Sequence, residues 1–216
     1  MIAIVDYGMG NLYSVRCALE RLGFSGFVTA DPDDLERARG IILPGVGAFG
    51  DAMANLRRRG LDRVLVDAAQ AGKPLLGICL GMQLLFEESE EHGRHAGLGL
   101  LPSRVVRFRG SFKIPHMGWN RLRYLRASPL LAGVPEGYVY FVHSYYVEPG
   151  GRDILLAVCD YHGEVPAIVG RGRLFGMQFH PEKSGKTGLA LLANFARLCG
   201  APAAGRSQPV TEGERR

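Results

Sequence analysis

Four short apolar runs alternate with helix-forming stretches along the N-terminal part of the chain, and this alternation restricts the fold more than any other feature. The runs are IAIVD, FVTA, GIILPG and PLLGI. After the first comes NLYSVRCALERLG, where Asn11 can cap a helix and Leu12, Val15, Leu19 and Leu22 form one apolar stripe. Gly23 supplies the stop. After the second comes DPDDLERA, with Asp31 as N-cap and Pro32 at the first helical position. One or two helices are expected between Phe49 and Ala71, ahead of PLLGI. Such alternation predicts a parallel sheet covered by helices on both faces.

The second half changes character. SRVVRF, YVYFVHSYYV, ILLAVCDY, VPAIVGRG and RLFGMQFH are short, β-rich and separated by Gly/Pro turns, so they read as antiparallel additions and the last core strands. A closing helix is expected from Thr187 to Leu198, ending at Gly200. The 216 residues suit one domain with a substantial core, over residues 1–200. The remainder, 201–216, has no bulky apolar residue except Val210 and is expected to be a disordered tail.

The N-terminus, MIAIVDYGMG, has no basic n-region and reads as a buried strand rather than a secretory signal. No run approaches the roughly 18 apolar residues of a membrane helix. The four cysteines, Cys17, Cys79, Cys159 and Cys199, lie far apart without a C-x-x-C pair. Neither a disulfide framework nor a zinc cluster is expected, and a reducing cytoplasm is the default. The net charge of +5 permits an acidic partner without demanding one.

In PLLGICLGMQLLF a strand-like run reaches Cys79 and turns at once into a helix-like pattern beginning at Leu80. Gly77-Ile78-Cys79-Leu80-Gly81 is the thiol version of G-x-S-x-G, in which small residues let strand and helix approach closely at a sharp corner. The residue at the tip is strained and exposed, and a helix N-terminus favours its thiolate. A buried structural cysteine is the competing reading.

A thiol nucleophile needs a base, and the base needs a group that orients it. GMQFHPEKS, near the C-terminus, offers His180 with Glu182 two residues on, a spacing that puts both on one side of an extended segment. Half of a zinc deaminase signature is excluded for want of P-C-x-x-C; an inert surface pair is the alternative. Acyl transfer also needs oxyanion donors. LPGVGAFGDAM follows the third strand, and its Gly45 and Gly47 could turn backbone N–H groups into a cavity or simply make a tight turn. It matches neither phosphate-loop pattern.

With these segments in view, the chain resembles the class I, triad-type glutamine amidotransferases, and within them the glutaminase subunits of imidazole glycerol phosphate synthase. DYGMGNL, LPGVGAFGDAM, GICLGMQLLF, PHMGWN, YFVHSYY and FHPEKSG carry the match, across about residues 1 to 200. The resemblance implies a flavodoxin-like three-layer α/β fold with a mostly parallel central sheet. It implies that Cys79 attacks the side-chain amide of glutamine, that His180 shuttles the proton, and that Glu182 orients His180. Oxyanion donors are expected from Leu80 N–H and the Gly45–Gly47 strand; Gln83, Ser144 and Tyr145 are expected to hold the amino-acid end of the substrate. No cofactor or metal is implied.

The resemblance also implies a partner. Ammonia is expected to pass to a separate cyclase subunit, a (β/α)₈ barrel, which makes imidazole glycerol phosphate and an aminoimidazole carboxamide ribotide. The residues left after the elbow fall well short of the roughly 250 typical of such a barrel, so the cyclase is expected on another chain. Asn11, Trp119, Tyr140 and Lys183 match positions facing it. Between residues 104 and 126 stand Arg104, Arg107, Arg109, Lys113, Arg121, Arg123 and Arg126 with no acidic residue. A solvated strand face and a charged docking rim both fit. Nucleic-acid binding is disfavoured because no aromatic platforms are interleaved.

Overall fold

The computed structural model describes residues 1–200, the side chain of Pro149 excepted. The expected tail, 201–216, lies outside the described residues. The N-terminal alternation folds as β1 (Ile2–Val5), α1 (Leu12–Arg21), β2 (Gly26–Thr29), α2 (Pro32–Arg37), β3 (Gly40–Gly45), α3 (Phe49–Arg58), α4 (Leu61–Gln70) and β4 (Leu75–Cys79). Asn11 Oδ1 accepts from Ser14 N–H at 3.4 Å, and Asp31 Oδ1 accepts from Asp33 N–H at 2.9 Å. Both are the N-caps read from sequence.

Next come α5 (Leu80–Gln83), β5 (Phe86–Ser89), β6 (His95–Ala96), β7 (Leu101–Arg107), β8 (His116–Arg121) and β9 (Arg123–Tyr124). The chain closes with β10 (Tyr138–His143), β11 (Tyr145–Pro149), β12 (Leu155–Asp160), β13 (Glu164–Arg171), β14 (Leu174–Met177) and α6 (Gly185–Leu198).

The main sheet runs β2-β1-β3-β4-β14-β13-β12-β9. Its first five strands are parallel and the rest antiparallel. The parallel part has the doubly wound order in which ligands sit beyond the carboxyl ends of the strands. Side-chain alternation explains how one sheet serves two cores. Ile2, Ile4, Ile42, Leu76 and Ile78 pack with α1 and α6, whereas Ala3, Val5, Ile41, Leu43 and Leu75 pack with α2, α3 and α4.

Two expectations need correcting. The helix after Cys79 lasts one turn, because Leu84, Leu85 and Phe86 are all fully buried. An apolar run with no polar face cannot lie as a surface helix, and it passes instead into β5. YVYFVHSYYV is not one strand either. It breaks at Ser144, leaving β10 paired with β8 and β11 paired with β7 in a different sheet. That break brings Ser144 and Tyr145 over the ends of the parallel strands.

Candidate active site

Cys79 stands where β4 ends and α5 begins, with φ 55° and ψ −112°. Only glycine reaches that region without strain, so the corner is held by its surroundings. Those surroundings leave no room to relax. A Cβ on Gly77 would meet the Gly81 carbonyl, and one on Gly81 would meet the carbonyl of Leu43 on β3. Both glycines are therefore required by close approach of backbone to backbone. The strand–turn–helix corner read from GICLG is present.

His180 lies three residues beyond β14, and its Nδ1 is 2.9 Å from Glu182 Oε1. The route differs from the expected extended segment. Pro181–Lys183 is a 3-10 turn, and it is this turn that carries the carboxylate back beneath the ring. The His180 and Glu182 side chains are 4% and 1% exposed. Glu182 Oε2 is buried with no hydrogen-bond partner among the described residues, and Oε1 faces the imidazole. Burial by itself lowers the His180 pKa, but the neighbouring Cys79 sulfur and Glu182 carboxylate outweigh it and raise the pKa to about 10. The ring thus holds a proton at neutral pH beside the sulfur. The other buried cysteines have no such neighbour: burial pushes the Cys159 and Cys199 thiols up to about 12.

A cavity of about 340 Å³ opens over this pair, within the roughly 300–1,000 Å³ of small-molecule sites. Val46, Gly47, Leu80, Gln83, Ser144 and Tyr145 line it together with Cys79 and His180. Gly45 does not; it packs behind the wall against Tyr7, Leu80 and Gly81 and sits in register with Cys79. Gln83 is buried, which rules out a solvated helix position. Its Nε2 donates to the Tyr145 carbonyl at 3.0 Å and to Gln178 Oε1 at 3.1 Å, while Gln178 Nε2 points at the Cys79 sulfur at 3.9 Å.

Sequence reasoning missed three residues here. Gln178 is fully buried, and in sequence it passed as part of the strand GMQFH. Glu91 lines the cavity and its Oε2 accepts from Phe49 N–H at 2.8 Å, an N-cap contact made 42 residues away in the chain and so invisible to local pattern. His143 also lines the cavity and was read only as part of HSYY. Among the described residues, no group of three or more His, Cys, Asp or Glu could hold a metal ion.

The proposed partner positions occupy neighbouring elements. Trp119 and Tyr140 face each other in register on β8 and β10, ring centroids 6.0 Å apart. Lys183 ends the turn that carries Glu182, and that turn packs against both β10 and α1, which Asn11 caps. Met117, Trp119 and Tyr138 are exposed large side chains on this strand pair. The basic stretch is largely answered within the chain. Arg104, Arg109, Arg121 and Arg123 pair with Glu148, Glu90, Glu136 and Glu164.

Comparison with known proteins agrees with this geometry. The family described as Glutamine amidotransferase class-I matches residues 3–199. Imidazole glycerol phosphate synthase subunit HisH of Geobacillus kaustophilus is 61% identical over 204 residues, 92% of this chain and 97% of the relative. The subunit of the same name in Bacillus subtilis is 53% identical over 204 residues, covering 92% and 96%. A crystal structure of a glutamine amidotransferase superposes with a TM-score of 0.75 at 22% identity, covering 93% of this chain and all of that one. PurLQS from Thermotoga maritima gives 0.75 at 21% identity, covering 91% and 97%. These two solved structures speak to the fold alone.

Proposed function

The chain belongs to the class I glutamine amidotransferases, and we propose that Cys79, His180 and Glu182 are the triad with which it hydrolyses glutamine for histidine biosynthesis. The observation that carries the assignment is the strained corner at Cys79 opening on the same cavity as a buried imidazole that a carboxylate holds from behind. The sulfur adds to the side-chain carbonyl carbon of glutamine, and the carbonyl oxygen becomes an oxyanion. His180 gives its proton to the departing nitrogen, which leaves as ammonia, and a γ-glutamyl thioester remains. Water, losing a proton to His180, then attacks the thioester; glutamate leaves and the sulfur is regenerated.

Leu80 N–H, at the start of α5, and an N–H of the Val46–Gly47 wall are suited to the oxyanion. Gln83, Ser144 and Tyr145 are suited to the amino-acid end, and the Glu91 carboxylate to its ammonium group. The two relatives are each named as a subunit of imidazole glycerol phosphate synthase. The ammonia accordingly passes to a cyclase partner, for which we propose a (β/α)₈ barrel seated on the exposed face of Met117, Trp119 and Tyr138 with Asn11, Tyr140 and Lys183. No helix among the described residues is long and apolar enough to cross a membrane, and a cytoplasmic location suits a biosynthetic enzyme with four free cysteines.

Cys79→Ala tests the proposal in the complex with the cyclase. Glutamine-dependent product formation is expected to vanish while ammonia-dependent formation persists. Retained use of glutamine refutes the nucleophile assignment.

A further inference from the structure

Two buried histidines outside the triad stand end to end between the exposed strand pair and the substrate cavity. His116 and His143 are register partners at the last rung of the β8–β10 ladder, where β10 gives way to β11. His116 Nδ1 lies 3.0 Å from His143 Nε2, and His143 Nδ1 lies 2.8 Å from the Tyr145 carbonyl oxygen. At the far end, Asn120 Nδ2 is 3.4 Å from His116 Nε2 and 2.8 Å from the Asp160 carbonyl.

The partners determine where the protons sit. A carbonyl only accepts, so His143 carries its hydrogen on Nδ1. Its Nε2 then accepts, which puts the hydrogen of His116 on Nδ1 as well. His116 Nε2 is left to accept from Asn120, whose amide is fixed because its Oδ1 takes Arg121 N–H at 2.8 Å. A proton added to either ring would set donor against donor. Burial agrees, pulling His116 down to about 4 and His143 down to about 3. The chain of neutral rings therefore has one direction, and it ends on the carbonyl that also anchors Gln83.

We propose that His143, backed by His116, is a positioning residue for glutamine: it pins the Tyr145 carbonyl, and with it Gln83 and the Ser144–Tyr145 backbone that walls the cavity. The bond from His143 to Tyr145 spans the corner where the chain changes sheets, joining the end of one ladder to the start of the next, where Phe108 N–H donates to the Ser144 carbonyl at 3.1 Å. Trp119 and Tyr140 stand three rungs along the same ladder, on the opposite face of the strand pair. The alternative is plain packing, since His116 is stacked between Phe141 and Tyr161, centroids 4.6 and 3.9 Å away.

The proposal rests on the glutaminase reading, and two measurements separate them. In the full chain, long-range proton–nitrogen correlation spectra are expected to show both rings as neutral Nδ1–H tautomers at neutral pH. An Nε2–H or doubly protonated ring overturns the proposal whatever the substrate. In the complex with the cyclase, His143→Leu is expected to raise KM for glutamine about tenfold, the effect of one lost hydrogen bond. kcat is expected to change by less than about threefold. His143→Asn, whose amide can replace the Nδ1–H donor, restores KM to within about threefold of the wild type. An unchanged KM in His143→Leu, or a failure of His143→Asn to restore it, overturns the proposal. Should His143→Leu not fold, His116→Phe keeps the ring stack and decides by the same rise in KM.

Discussion

The strain at Cys79 can be measured by removing it. In Cys79→Ala the backbone stays at φ 55°, ψ −112°, whereas Cys79→Gly reaches that region freely. Both variants lack the sulfur and lose the His180 pair equally, so their difference isolates the corner. The conformation lies outside even the left-handed helical well, near the upper part of the ~1–3 kcal/mol range for such residues. Against this, glycine costs about 0.7 kcal/mol through the entropy of the unfolded chain. Losing the buried methyl costs about 0.8 kcal/mol more. Glycine should therefore win by about 1 kcal/mol, a reversal of its usual standing in structured positions. For a domain of this size that is a Tm higher by about 2–4 °C for Cys79→Gly than for Cys79→Ala. Scanning calorimetry and urea midpoints on the two variants read it directly. If alanine equals or exceeds glycine, the corner stores no strain and the elbow argument fails.

Three further outcomes follow from the site. The His180 pKa is raised from about 6.5 to about 10, so its contribution to stability is complete below about pH 6.5 and is lost as pH rises through about 10. In Cys79→Ala that loss should shift to lower pH; identical urea midpoints against pH in the two proteins would show that the sulfur does not hold the proton. Gln178→Leu removes one of the two acceptors of Gln83 and the amide beside the sulfur, and kcat/KM for glutamine should fall at least about tenfold, an unchanged value ruling out the network. Lys183→Ala should weaken binding of the proposed cyclase partner while thermal unfolding stays put; unchanged affinity removes Lys183 from the interface.

The caps at Asn11 and Asp31, the parallel strands and the Gly77–Gly81 corner were legible in the sequence because each depends on neighbours a few residues away. Chain-local rules for capping, alternation and close backbone approach suffice there. The pairing of Cys79 with His180 could be inferred only as chemistry, since a thiol demands a base. The turn at Pro181–Lys183 that brings Glu182 under the ring was read wrongly as an extended segment. The break at Ser144 was hidden too, because β10 and β11 share one alternating pattern and only their different partners, β8 and β7, separate them.

Sequence by itself determined the glycine-flanked corner at Cys79 and the layered sheet on which it stands. Tertiary structure alone decided that Glu91 caps α3, that Gln178 bridges Gln83 to the sulfur, and that His116 and His143 stand end to end before the Tyr145 carbonyl. The physical reason is range. Propensity, capping and periodicity act along the chain, whereas a buried polar group finds its partner wherever folding has excluded water, and that partner can stand anywhere in the sequence.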